Sequence, residues 1–249
     1  FFLTLITFIF FSFSLYAQLS NKFEPIDIFE IEYVSNPEIS PLGDKILFQR
    51  NFKDVMTDKN LSNLWIVNYD GSNMRPITTG NHNSGSPKWS NSGKMFTFKS
   101  NQEGKTQLYL YNLENNSVQK LTNIQSSIGS VNWSSDDRYL LFNSFVEKTE
   151  GKLIKMPKKP KGASWNSPPI EIDDMVYRYD GGGYRRPGNN QIFILPVEGG
   201  TPRQVSMLDK NPSSAVWLNS NNIIFSANLN DNSDFEPNNS DIHVLNIKS

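Results

Sequence analysis

Acidic, aromatic and basic side chains converge in one stretch of this chain. Glu171, Asp173 and Asp174 are followed by Tyr177, Arg178 and Tyr179, then by Asp180 and three glycines, then by Tyr184, Arg185 and Arg186. The three carboxylates could neutralise a ligand ammonium, while guanidinium forks at Arg178, Arg185 and Arg186 could hold a carboxylate bidentately. Pairing of these charges within the segment itself is the competing reading. Glu171, Asp173, Asp174, Tyr177, Arg178 and Tyr179 are the candidates for a substrate-facing or interdomain role. The glycines Gly181, Gly182 and Gly183 are followed by no Gly-Lys-Ser/Thr and open no helix, so they read as a tight turn rather than a phosphate cradle.

Other reactive groups are scarce. The chain has no cysteine, which excludes disulfide scaffolds, zinc ribbons and thiol nucleophiles, and only His82 and His243 offer an imidazole base. His82 stands two residues from Ser84, but in a Gly/Asn-rich stretch that reads as a turn. His243 alternates within a strand pattern and reads as a packing or surface residue. The segment Asp231-Asn232-Ser233-Asp234 reads as a polar hairpin turn, with a cation loop as the alternative. No cofactor and no metal is called for. With 24 Lys+Arg against 25 Asp+Glu the net charge is -1, so no electrostatic footprint for nucleic acid exists.

These groups must be positioned by a scaffold, and the scaffold repeats. Pro37-Glu38-Ile39-Ser40-Pro41-Leu42-Gly43-Asp44-Lys45-Ile46-Leu47-Phe48 returns from Pro87 to Phe98 and again from Val131 to Phe142; a fourth unit, one residue shorter, runs from Ala215 to Phe225. Each unit is a short strand, a polar turn and an apolar strand ending in Phe, the pattern of a β-hairpin. A second hairpin follows, from Leu64-Trp65-Ile66-Val67, Leu108-Tyr109-Leu110-Tyr111 and Ile192-Phe193-Ile194-Leu195 through Asp70-Gly71, Asn115-Asn116 and Gly199-Gly200. Four strands per unit and 44 residues from Trp89 to Trp133 describe a β-propeller blade. The expected fold is all-β, with about four four-stranded blades over 35–249 in an incomplete array. A short helix is expected between Ile26 and Tyr33, in a lead-in over 18–34.

Trp133 and Trp217 are 84 residues apart, so about forty extra residues, near 146–190, fall between the second and third strands of the third blade. The first half of this insertion carries Lys148, Lys152, Lys155, Lys158, Lys159 and Lys161 with only Trp165 nearby, which suits a solvated loop better than a nucleic-acid surface. At the other extreme, the uncharged run Phe1 to Ala17 reads as the apolar core of a secretory signal, with cleavage after Ala17 and a basic leader expected ahead of Phe1. A membrane span is the rival reading, but polar sequence resumes at Gln18, short of the roughly 20 apolar residues a span needs. The expectation is an exported protein, periplasmic or extracellular, with no stable membrane span after cleavage.

The Trp-Ser-x-x-Gly/Asp repeats resemble the WD40-like, TolB-type propeller repeat. The run from Ile172 to Tyr184, followed by Gln191 to Val205, resembles the N-terminal propeller of the prolyl oligopeptidase family of serine peptidases, most nearly its acylaminoacyl-peptidase and dipeptidyl-peptidase-like branch. The resemblance runs from about Phe23 to the end of the chain. It implies a propeller that screens short peptide substrates and a C-terminal α/β-hydrolase domain carrying Ser, Asp and His. No Gly-x-Ser-x-Gly pentapeptide occurs in this sequence, and no strand-helix alternation that could build such a domain is present. No catalytic residue is therefore assigned to this chain. The alternatives are a non-catalytic TolB-like periplasmic propeller acting in protein-protein interaction, or a propeller preceding a different hydrolase such as an amidohydrolase.

Overall fold

The computed structural model describes residues 22–148, 157–167, 169–170, 172 and 175–248. The proposed signal segment over 1–17 lies outside the described residues. So do Lys152, Lys155, Glu171, Asp173 and Asp174. Among the described residues no helix is long and apolar enough to cross a membrane. The short helix is a five-residue 3-10 turn over Pro25–Phe29, closed by a capping box between Glu24 and Asp27. It is shorter than expected because the chain is already extended at Tyr33, where the first strand begins.

Among the described residues seventeen strands follow. Blade 1 comprises β1 (Tyr33–Ile39), β2 (Lys45–Asp54), β3 (Lys59–Asn68) and β4 (Arg75–Pro76). Blade 2 comprises β5 (Ser84–Trp89), β6 (Met95–Ser100), β7 (Gln107–Asn112) and β8 (Ser117–Lys120). Blade 3 is built from β9 (Ile128–Trp133), β10 (Tyr139–Glu147), β13 (Gly188–Pro196) and β14 (Arg203–Gln204). Between β10 and β13 stand β11 (Arg178–Tyr179) and β12 (Gly183–Tyr184), a separate hairpin. Blade 4 comprises β15 (Ser213–Asn219), β16 (Asn222–Ala227) and β17 (Asp241–Asn246). Every pairing within a blade is antiparallel and sequential, which is the all-β propeller architecture.

The core lies between blades rather than within one. Leu47, Leu64 and Ile66 of blade 1 pack with Trp89, Phe96, Phe98, Tyr109 and Tyr111 of blade 2. Leu108, Leu110 and Leu121 of blade 2 pack with Val131, Trp133, Leu140, Phe142 and Leu195 of blade 3. On the other face of blade 3, Leu141, Ile192 and Ile194 meet Ala215, Ile223 and Phe225 of blade 4. Strand β7 thus sends Tyr109 and Tyr111 one way and Leu108 and Leu110 the other. This is why the middle strands read as continuous apolar runs. Aromatic pairs reinforce the first layer, with Phe96 stacked on Tyr111 at 4.9 Å and Phe98 on Tyr109 at 5.5 Å.

The Trp-Ser-x-x-Gly/Asp repeat has a physical basis in these layers. Trp89 Nε1 donates to the Glu38 carbonyl of the preceding blade at 3.0 Å, and Trp133 Nε1 to the Lys88 carbonyl at 3.1 Å. Each serine closes the turn that follows: Ser40, Ser90 and Ser134 donate their backbone N–H to Lys45, Met95 and Tyr139, and their hydroxyls accept from the returning strand. The last repeat position takes a positive φ, at Gly43 (72°), Gly93 (69°) and Asp137 (57°), which explains the preference for Gly or Asp. Blade 4 has Leu218 in place of the serine and a one-residue-shorter turn. There the register shifts between Trp217 and Asn219, and Trp217 Nε1 is buried without a partner.

Polar ties also cross the junction of blades 2 and 3. Asp137 Oδ1 accepts from the backbone N–H of Asn91 at 2.7 Å, and Oδ2 from that of Ser92 at 2.8 Å. Lys99 Nζ donates to the Ile128 carbonyl at 2.8 Å, and burial pushes its ammonium below the usual lysine range. Within blades 2 and 3 a buried glutamine locks the outer connection. Gln107 Oε1 accepts from Thr122 Oγ1 and the Ile124 N–H, and Gln191 Oε1 accepts from Ser206 Oγ and the Leu208 N–H. The corresponding residue of blade 1 is Asn63, one methylene shorter, and its buried Oδ1 has no partner.

Two outcomes follow from these contacts. Asn63→Gln is expected to reach Thr78 as Gln107 reaches Thr122, adding about 1 kcal/mol and raising the melting temperature by about 2–4 °C; a lowered Tm in calorimetry would refute the equivalence of the three sites. Burial pushes the Asp137 carboxyl up, but the donors on Ser92 and Asn91 outweigh it and hold it below the ordinary carboxylate value. Its stabilisation is therefore present above the unfolded-state pKa and is lost as pH falls through the folded value. Asp137→Asn is expected to melt below the parent at pH 7, the gap narrowing below about pH 4 in thermal melts run across that range.

Candidate functional site

The insertion returns to the blade as a miniature hairpin. Arg178 pairs with Tyr184 and Tyr179 with Gly183, while the Arg185 N–H donates to the Tyr177 carbonyl at 2.8 Å. Gly181 (φ 71°) and Gly183 (φ 74°) supply the left-handed backbone of the turn, so the glycine run is a hairpin turn. Tyr177 and Tyr184 lie 6.3 Å apart, and the Arg178 guanidinium sits 5.9 Å from the Tyr184 ring centre. Arg186 lies over Phe145 of β10 at 5.0 Å. Arg178 and Arg186 are thus engaged with aromatic rings.

Gly188 fixes where the hairpin rejoins β13. Its φ is 130°, and a Cβ there would collide with the Val146 carbonyl, with Phe145 Cζ at 2.8 Å and with Glu147 Cα at 2.9 Å. From this point a polar chain runs across to blade 4. Arg185 Nη2 donates to Asn189 Oδ1 at 3.3 Å, and Asn189 Nδ2 donates to the Asp209 carbonyl at 2.8 Å on the blade 3 to blade 4 connection. Next along that connection, Lys210 Nζ pairs with Asp234 Oδ1 at 2.9 Å on the β16–β17 loop.

Hairpin, connection and loop line an open cavity of about 630 Å³, within the size range of small-molecule and peptide sites. One wall is apolar and aromatic, formed by Ile170, Ile172, Val176, Tyr177, Tyr179 and Tyr184 of the insertion. The facing wall is polar and comes from β13, the connection and blade 4, with Asn189, Lys210, Ser233 and Asp234 among its residues. Of the sequence candidates, Tyr177 and Tyr179 line this cavity and Arg178 lies beside it over Tyr184. Glu171, Asp173 and Asp174 lie outside the described residues. A second cavity, of about 440 Å³ at the junction of blades 3 and 4, is walled by serine and asparagine and carries no charged group.

The residues that sequence reading missed are those on the polar wall. Ser233 was visible only as part of a polar turn, yet it is 7% exposed and its Oγ has no partner. Asp234 of the same segment is ion-paired with Lys210, and no group of three metal-ligating side chains exists among the described residues. His82 and Ser84 form no dyad: Ser84 Oγ donates to Ser100 Oγ at 2.8 Å. The His243 ring stacks on Phe225 at 5.4 Å, and its Nε2 meets the Ala227 carbonyl at 3.1 Å.

Four sequential antiparallel sheets packed face to face define a β-propeller. The pattern of the TolB beta propeller domain (PD40) matches residues 24–164, and the chain belongs to that family. Among curated proteins it is similar to an uncharacterized peptidase, YuxL, of Bacillus subtilis, 27% identical over 84% of this chain and 31% of that protein. It is also similar to dipeptidyl-peptidase 5 of Porphyromonas gingivalis, 39% identical over 30% of this chain and 11% of that protein. The chain thus spans a third or less of the curated relatives it matches. Among solved structures, an acylaminoacyl peptidase in complex with Z-Gly-Gly-Phe-chloromethyl ketone superposes with a TM-score of 0.65 over 88% of this chain and 32% of that one, at 17% identity. The acylaminoacyl peptidase of Pyrococcus horikoshii gives 0.58 over 80% of this chain and 28% of that one, also at 17% identity. At these identities the superpositions show a shared propeller fold over the matched part of each chain.

Gly188→Ala tests whether the insertion depends on this return geometry. The strained φ and the collision with backbone are expected to cost about 1–3 kcal/mol and to raise proteolytic cleavage within the insertion; an unchanged melting curve and digestion pattern would refute the constraint.

Proposed function

We propose that this chain is the substrate-gating propeller of an exported serine peptidase of the prolyl oligopeptidase family, dipeptidyl- or acylaminoacyl-peptidase-like, acting on short peptides. A C-terminal α/β-hydrolase domain of the same parent protein would supply the chemistry: Ser attacks the scissile carbonyl, His takes and returns the proton, and Asp orients the His. The blades would limit access to that site by size, admitting flexible peptides and excluding folded proteins. The observation that supports this reading is the insertion: a blade that needs only a short link between its second and third strands carries a tyrosine-rich hairpin over a cavity, and the curated relatives are peptidases. A second reading, a TolB-like periplasmic propeller that binds other proteins, is favoured by the family match over 24–164. A plain binding propeller has no need of the hairpin. The apolar run at Phe1 to Ala17 supports export as a signal peptide in either reading.

Sequencing the coding DNA beyond Ser249 separates the two. The peptidase reading expects the frame to continue through further blades into a Gly-x-Ser-x-Gly segment, then an Asp and a His in that order. It also expects this chain alone to leave dipeptidyl chromogenic substrates intact, while the whole protein cleaves them and is silenced by a serine-directed inhibitor. A frame that stops within a blade or two, or turnover by this chain alone, would overturn it.

A further inference from the structure

We propose that the Asp180–Gly181 peptide, in the turn of the insertion hairpin, is a spontaneous modification site at which aspartate converts to isoaspartate and the hairpin comes unpaired. The Gly181 amide nitrogen attacks Cγ of Asp180, an N–Cγ bond forms, and the amide proton leaves with the carboxyl hydroxyl as water. Water then opens the resulting succinimide at either carbonyl. One opening restores aspartate; the other gives isoaspartate, whose main chain runs through the former side chain. Only water is lost and regained, so no other reactant is needed.

The step requires an unhindered residue after the aspartate, a nitrogen not held by a carbonyl, and a carboxyl free to turn onto it. The chain contains the tripeptide Tyr-Asp-Gly twice, at Tyr69-Asp70-Gly71 and at Tyr179-Asp180-Gly181. Local sequence is the same; the folded surroundings are not. Asp70 Oδ1 accepts from the Ser72 N–H at 2.9 Å and from Ser72 Oγ at 2.6 Å, and the Gly71 N–H donates to the Asn68 carbonyl at 2.9 Å. The bonds from Ser72 also hold the Asp70 carboxyl below its ordinary range, which keeps it ionised and its oxygen a poor leaving group. Asp180 is exposed, and among the described residues no hydrogen bond or ion pair engages its carboxylate and no carbonyl accepts from the Gly181 N–H. No heavy atom lies within 4 Å of where a Cβ would stand on Gly181, which leaves room for the ring to close.

The hairpin is poorly placed to survive the change. It holds only the pairs Arg178 with Tyr184 and Tyr179 with Gly183. Isoaspartate adds a methylene to the main chain inside that turn, which breaks the register and separates Tyr177 from Tyr184. The three apolar layers between blades contain no residue of 177–184, so the blades remain folded.

Ageing the full chain in neutral buffer tests this, beside the free peptides acetyl-Tyr-Arg-Tyr-Asp-Gly-Gly-Gly-amide and acetyl-Asn-Tyr-Asp-Gly-Ser-Asn-amide. Isoaspartate is counted with a protein-isoaspartate methyltransferase and labelled S-adenosylmethionine, and placed by fragmentation mass spectrometry. The two peptides are expected to convert at similar rates, whereas in the folded chain Asp180 converts at least about tenfold faster than Asp70. Asp180→Glu, whose longer side chain must close a larger ring, is expected to abolish the signal at that position and to keep the parent's melting curve. Limited proteolysis of the aged parent is expected to gain cuts within 177–184 at an unchanged melting temperature, and the aged Asp180→Glu variant is expected to gain none. Three results would each overturn the proposal: equal conversion of Asp70 and Asp180 in the folded chain, no isoaspartate at Asp180 while the free peptide accumulates it, or an unaltered digestion pattern in chain that carries it.

Discussion

Face-to-face burial of neighbouring sheets is the constraint on which the rest of this molecule depends. A four-stranded antiparallel sheet standing alone would expose two apolar faces. Here each junction joins residues of two blades into one layer, and blades 2 and 3 are sandwiched on both sides. Leu108, Leu140, Leu141, Ile192 and Leu195 are fully buried as a result. Leucine-to-alanine losses at such positions combine lost transfer energy with a cavity that rigid sheets cannot close. Stability is thus distributed over junctions, as in other repeat architectures.

Polar groups set the angle and register of that stacking. The indole donors of Trp89 and Trp133 reach carbonyls of the previous blade, and Asp137 fastens two successive turns together. Where the repeat changes, these ties change with it. Leu218 removes the turn serine, the register shifts, and the Trp217 indole loses its carbonyl, with Asn132 Nδ2 instead donating to the Ala215 carbonyl across the junction. Blade 4 is held to blade 3 by its apolar layer together with other polar ties, Asn143 Nδ2 donating to the Pro212 carbonyl and Arg203 Nη2 to the Ile247 carbonyl. The candidate cavity lies at this same junction, between the two blades whose mutual ties are least regular. The chain of contacts from Arg185 through Asn189 to Asp209 links the hairpin to that junction, so the position of the insertion and the seating of blade 4 share residues.

Particular residues show how much of this was legible from sequence. The Trp-Ser-x-x-Gly/Asp units announced hairpins, because a left-handed turn residue and alternating apolar strands have few other uses. Asp180 followed by three glycines announced a turn for the same local reason. The short helix near Ile26 was overestimated, as helical length there is limited by the early start of β1. Ser233 carried no signal at all. It sits in an Asn/Asp/Ser-rich loop where every residue has turn propensity, and only the folded loop buries one of those hydroxyls without a partner.

Local chemistry by itself determined the strands, the turns, the blade repeat and the place of the insertion, since each depends on backbone preference and on the period of apolar residues over a few positions. Composition also removed whole classes of chemistry, there being no cysteine and only two histidines. Tertiary structure alone decided which insertion residues share a surface. Tyr177 and Tyr184 are brought together by the turn, but Lys210 and Asp234 meet 24 residues apart only because two blades pack side by side. The unpaired oxygens of Asn63 and Ser233 are likewise products of packing. Whether a polar atom is satisfied depends on what the rest of the chain places within about 3 Å of it, and no stretch of sequence contains that information.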